Sequence, residues 1–169
     1  MLKKLIEEAV ELRQFFKKEK AFRLKELSTE LIRESALHDD KFKALMALIA
    51  YSLFKLSSKT HIKKNPKWPS AKERILKHLD NAILELRQKR FKDSETELQN
   101  AVEDISRIDS EISNYAFNTF EKAKTKLAST AYSFGLSLSQ AAMLTGADKK
   151  NLLNYIGFTK MHDEAGVFL

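Results

Sequence analysis

The side chains suited to acid–base or metal chemistry are few and scattered. Histidines stand at positions 38, 61, 78 and 162, and no two have the HExxH or HxxxH spacing that sets two imidazoles on one helical face. His38-Asp39 and His162-Asp163-Glu164 would suit one divalent ion if the two segments met in space. Residues one apart on a helix diverge, so neither pair clamps an ion alone, and capping or surface roles are expected. Asp104 with Glu111, and Asp109 with Glu97, are the carboxylate pairs available for general acid–base work. Both are expected on a solvated acidic face, where nothing raises a carboxyl pKa. There is no cysteine, hence no thiolate nucleophile, thiolate metal site or disulfide. No glycine-rich phosphate loop or dinucleotide fingerprint occurs. The expectation is a protein that is not an enzyme, with no cofactor and no metal.

Charge points elsewhere. The net charge is +7, unevenly spread. Residues 59–92 hold eleven basic and three acidic side chains, whereas residues 93–121 hold one basic and eight acidic. Two readings fit: neighbouring helices that neutralise each other, or a phosphate-facing basic stripe with the acidic segment turned away from any bound duplex. Inside the basic block, SSKTHIKKNPKWP over 57–69 is the main loop expected, with Lys59, Lys63, Lys64 and Lys67 around His61 and Trp68. Such a loop could hold a phosphate backbone or stack an unpaired base on the indole. It could equally be a solvated loop anchored by Trp68, or a contact for a partner protein.

The residues with the most specific order lie in KLASTAYSFGLSLSQAAMLTGADKKNLLNYIG, 126–157. Ser137 is placed to cap a short helix carrying Leu138, Gln140, Ala141, Ala142 and Leu144. Thr145-Gly146-Ala147 is a tight break, and Asp148 is placed to cap a second helix from Lys149 to about Ile156. Gly146 supplies the positive φ that such a turn requires. Ala142 faces the bend, where a larger side chain would hold the helices apart. Leu152, Tyr155 and Ile156 are expected to pack inward.

Ala142, Gly146 and Leu152, at the spacing they have here, resemble the helix-turn-helix DNA-binding module of small prokaryotic and archaeal regulators. The segment from Glu121 to Phe134 would be the supporting first helix. Thr145 and Ala147 stand where such modules carry larger apolar residues, so the turn is expected to be less filled. The resemblance implies that the second helix of the motif enters the major groove. Its outward positions would be Lys149, Lys150, Asn151 and Asn154, with Gln140 on the preceding helix nearby. Asparagine suits adenine, and lysine suits guanine or phosphate. Lys122, Lys124 and Lys126 would support the backbone, as would Lys63 and Lys64 from the loop.

The remaining chain must position this module. Strand-type alternation is nearly absent, and all four glycines fall at 135 or beyond, so an all-α fold is expected. It is read as a bundle of about five longer helices followed by the helix-turn-helix. The first runs over Leu2–Lys20 with Leu5, Ala9, Leu12 and Phe16 as its stripe, and nothing in Lys18–Phe22 forbids its joining the second, Ala21–Ala36. His38-Asp39-Asp40 caps the third, which carries apolar residues from Phe42 to Leu56 on more than one face and is expected at the centre. Tyr51 is read as a core-edge residue. Ser70 with Glu73, and Ser94 with Glu97, have capping-box spacing and are expected to start the fourth and fifth helices. A soft boundary near Ser113-Asn114 divides a bundle, 1–112, from the terminal unit, 113–169. The apolar Phe158, Val167, Phe168 and Leu169 of the tail are expected to tuck into the body. No apolar run approaches the length of a membrane span, and the start lacks a signal-peptide pattern, so a cytoplasmic protein is expected.

The function expected is a non-enzymatic, DNA-binding regulatory protein, with the bundle available for homodimerisation. The alternative is an all-α protein-interaction adaptor or antitoxin-like subunit that docks a protein partner through the same terminal element. A third is an RNA-binding protein using the basic loop.

Overall fold

A helix buried on nearly all sides holds the structure together. The computed structural model describes residues 1–112 and 119–157, and among them it is all helical. In chain order the elements are α1 (Leu2–Lys17), α2 (Ala21–His38), α3 (Lys41–Ser57), α4 (Thr60–Lys63), α5 (Trp68–Arg87), α6 (Phe91–Ile112), α7 (Thr119–Ser133), α8 (Leu138–Thr145) and α9 (149–157). Every residue of α3 from Met46 to Leu53 is buried. Helices α1, α2, α4, α6, α7 and α8 all pack on it, which is why its apolar residues are not confined to one stripe. Each fully buried leucine or isoleucine contributes about 2 kcal/mol to such a centre. The buried apolar cluster is continuous from Ala9 in α1 to Leu152 in α9. None of the described helices is long and apolar enough to cross a membrane.

The turns explain where the expected helices stop. The first helix ends at Lys17, not Lys20, because Glu19 takes φ 57° and Lys20 N–H donates to the Phe15 carbonyl at 2.8 Å. The same closure, a left-handed residue followed by a bond back five residues, recurs at Asp39 (φ 50°), Lys89 (φ 61°) and Gly135 (φ 107°). Only one of the four uses glycine. Asp40 caps α3 as expected, accepting from Lys43 N–H at 3.1 Å.

Two expected caps are not used. Helix α5 begins at Trp68 with no side-chain cap, and the Ser70 hydroxyl instead accepts from Arg74. Helix α6 begins at Phe91; Ser94 is wholly buried and donates across the interface to the Ala82 carbonyl of α5 at 2.8 Å. The loop 57–69 contains the short α4, and Trp68 is buried with its ring edge-on to Phe16, centroids 6.1 Å apart. Trp68 is therefore an anchor, and its indole is closed to base stacking.

Charge neutralisation accounts for part of the basic and acidic blocks. Helix α5 lies along α6, with Arg74 3.7 Å from Asp104 and Lys67 3.3 Å from Glu111. His78 sits between Glu97 at 2.8 Å and Asp104 at 3.2 Å. The carboxylates are thus not all on a solvated face: Asp104 and Asp109 are buried, and Asp109 accepts from Phe120 N–H at 3.0 Å. Burial there is compensated by cations and backbone donors. On the far side, Lys43 of α3 bridges Glu34 and Glu8. Burial pushes the Glu8 carboxyl up despite the nearby Lys43, and its Oε2 is enclosed with no hydrogen-bond partner.

Candidate nucleic-acid interface

The terminal helices have satisfied ends. Ser137 Oγ accepts from Gln140 N–H at 3.1 Å while Gln140 Oε1 accepts from Ser137 N–H at 3.0 Å, a reciprocal capping box. Gly146, at φ 74°, closes α8 with its N–H on the Ala142 carbonyl at 2.9 Å. Asp148 Oδ1 accepts from Asn151 N–H at 2.9 Å and so caps α9. Ala142 and Ala147 line the bend, and Leu152 is fully buried beneath α9. Thr145 fills its buried place as a satisfied polar group: its hydroxyl donates to the Ala141 carbonyl at 2.8 Å. That bond removes most of the penalty for a hydroxyl in the turn.

Between α3, α7 and α9 opens a groove of about 580 Å³. Helix α3 contributes Tyr51 and Lys55, four residues apart and so on one face, and Lys59, the extended residue that precedes α4, joins them. Helix α7 contributes Lys122 and Lys126, again four apart, and α9 contributes Asn151 and Asn154. No described carboxylate lines it. Lys59 donates to Thr119 Oγ1, and Lys55 lies 5.7 Å from the centre of the Tyr51 ring. Burial, then repulsion by Lys25, Lys59, Lys126 and Lys122, holds the Lys55 ammonium below the usual lysine range. Burial, with Tyr155 adding to it, pushes the Tyr51 phenol up.

The expected binding residues divide into groups. Lys122, Lys126, Asn151 and Asn154 meet at the groove. Asn151 is half-buried there, not an outward residue of α9. Lys149 and Lys150 are exposed at the start of α9, with Lys149 Nζ 2.9 Å from Ser139 Oγ. Gln140 is exposed, but its side-chain oxygen is engaged in the cap. Lys124 leaves the set: its ammonium lies 4.6 Å from the centre of the Phe120 ring and 3.2 Å from Glu121, underneath the Gly146 turn. Lys63 and Lys64 are exposed at α4 and do not line the groove. Sequence reasoning missed Lys55, read Lys59 only as part of the basic loop 57–69, and gave Tyr51 no part in a site. The available signal was a lysine inside the most apolar helix, flanked by Tyr51 and Lys59 at helical spacing.

Two expectations lie outside the described residues: the boundary at Ser113-Asn114, and the tail from Phe158 to Leu169 with His162-Asp163-Glu164. Among the described residues, no group of three His, Asp or Glu side chains is arranged to hold a metal ion; Glu97 and Asp104 meet opposite nitrogens of His78. Comparison of the chain with protein-family models, with curated proteins and with solved structures finds no match.

Proposed function

We propose that the chain is a cytoplasmic, non-enzymatic regulatory protein that binds duplex DNA, with α8 and α9 as the helix-turn-helix pair and α9 in the major groove. The observation that carries this reading is the company α9 keeps. Its Asn154 opens onto the same groove as Lys122 and Lys126, which are exposed and have no ion-pair partner among the described residues. Lys149 and Lys150 extend the positive surface along the helix itself. Phosphates on either side of a groove-bound helix would meet these four lysines, while Asn154 approaches a base edge. Residues 1–112 serve as the bundle and, through the exposed Phe22 and Leu37 of α2, as the dimer surface that helix-turn-helix proteins commonly need.

The test is binding of duplex DNA, single-stranded DNA and RNA at several salt concentrations. The reading expects a preference for duplex and a loss of about a hundredfold when Lys149→Gln, Lys150→Gln and Asn154→Ala are combined, as three polar contacts would give. Equal affinity for all three nucleic acids would reject it.

A second reading has its own support. Met143 of α8 and Leu153 of α9 are large apolar residues left 75% and 48% exposed. A duplex has little use for them, whereas an adaptor or antitoxin-like subunit would bury them on a partner protein. Failure to bind any nucleic acid, together with a purified complex that Met143→Ser and Leu153→Ser disrupt, would favour this alternative. An RNA-binding role through Lys63 and Lys64 would instead appear as RNA preference lost on changing those two residues.

A further inference from the structure

The groove is deeper than a duplex backbone needs. Lys122, Lys126 and Asn154 are exposed at its rim, but Tyr51, Thr119 and Thr125 are buried, and Lys55 and Lys59 are half-buried between them. A duplex resting on α9 reaches the rim. The floor is reached only by something small enough to enter. The volume of about 580 Å³ lies within the range of small-molecule sites.

The charge pattern says what kind of molecule. Elsewhere the partly buried lysines have acidic partners: Lys43 has Glu8 and Glu34, Lys72 has Glu19, and Lys124 has Glu121. In the groove four lysines converge with no described carboxylate among them. Repelled, half-desolvated ammonium groups weaken the empty fold, and an entering polyanion reverses that cost. Lys55 is where the cost concentrates, through its burial first and then through the repulsion of Lys25 and the three other groove lysines.

We propose that this groove is a binding site for a compact phosphorylated ligand with at least two phosphates, such as a nucleoside diphosphate. Lys55 and Lys59 at the floor, with Lys122 and Lys126 above them, take the phosphate oxygens. Asn151 and Asn154, each an amide donor and acceptor, take the polar part of an attached base or sugar. Inorganic pyrophosphate shares the charge but lacks that second part, so the two ligand sources are separable. The site does not depend on the duplex reading: it stands if α9 binds protein instead. If α9 does bind duplex, the ligand claims Lys122, Lys126 and Asn154 from it and acts as a competitor.

The test is isothermal titration of the full chain with ADP and with pyrophosphate in phosphate-free buffer, alongside thermal melting at matched ionic strength with sodium chloride. Both ligands should bind and raise Tm beyond the chloride control. Tighter binding of ADP identifies a nucleotide site, and equal affinity identifies a site for the diphosphate group alone. Lys55→Gln combined with Lys59→Gln should weaken binding at least about tenfold, as loss of two charge-assisted contacts would. Lys92→Gln, exposed and outside the groove, should leave it unchanged. Circular dichroism of the double variant confirms that it remains folded; if it does not, Lys122→Gln with Lys126→Gln at the rim serves the same comparison. The proposal is overturned if neither ligand shifts Tm beyond sodium chloride, or if a folded groove variant binds as well as the wild type.

Discussion

Replacing Lys122 and Lys126 with glutamine should change how duplex binding responds to salt, and by an amount that follows from counting. The proposed surface presents four lysines to phosphate: Lys122 and Lys126 on α7, Lys149 and Lys150 on α9. Each neutralised phosphate releases condensed counterions, so log K should fall with log salt at a slope of about −3.6 for four contacts. Removing two should halve the slope to about −1.8 and weaken binding roughly sixty-fold at 0.1 M salt, with the loss shrinking toward higher salt. The assay is fluorescence anisotropy of a labelled duplex across a potassium chloride series, in phosphate-free buffer. A control pair, Lys3→Gln and Lys92→Gln, is exposed and outside the groove and should leave the slope unchanged. A slope in the Lys122/Lys126 variant equal to that of the wild type would refute the assignment of these lysines to the backbone. So would a loss of affinity that is the same at every salt concentration.

Three stability predictions test the fold around the site. Leu152→Ala removes a fully buried side chain from beneath α9 and should cost about 3 kcal/mol in urea denaturation, with duplex binding falling alongside. Lys55→Gln should raise Tm at low salt, because the folded protein holds that charge less readily than the unfolded chain does. The gain should shrink as salt screens the repulsion, and as pH rises toward the ordinary lysine value of 10.5, where the wild type also loses the charge. Glu8 is an acid whose folded pKa is raised by burial, so its ionisation reduces stability as pH climbs above the ordinary 4.5. Glu8→Gln should therefore melt above the wild type at pH 7, with the difference closing as pH falls toward 4.5; a growing difference on acidification would reverse the sign of that argument.

What was legible in the chain was what is local. Asp40, Ser137, Gly146 and Asp148 act on atoms three or four residues away, and each does what its position suggested. The α1–α2 and α5–α6 turns were not legible in the same way. Glu19 and Lys89 adopt the left-handed conformation without being glycine, at a local cost of about 1–2 kcal/mol. That cost is offset by helices that pack on each other, which no residue near the turn announces. Ser94 shows the converse: its spacing to Glu97 fits a capping box, but the Ala82 carbonyl across the helix pair claims its hydroxyl and His78 claims the glutamate.

The candidate site divides along the same line. Lys122, Lys126 and Asn154 were found because a motif of fixed spacing carries them. Lys55 was not, and Lys59 was assigned to the loop with Lys63 and Lys64 instead, because α3 comes to lie beside α7 and α9 only in the folded chain. Lys124 illustrates how little separates the two cases. It alternates with Lys122 and Lys126 in sequence, but two residues on a helix turn a side chain well away from its neighbours, and it ends against Phe120 instead.

The most direct measurement of whether α9 meets a duplex is backbone amide exchange along the whole chain, free and saturated with duplex DNA. The account predicts new protection concentrated in 149–157 and in the first turns of α7, with α5 and α6 unchanged. Protection that falls on α5 and α6 instead, or an α9 that exchanges at its free rate while the duplex is bound, would contradict it.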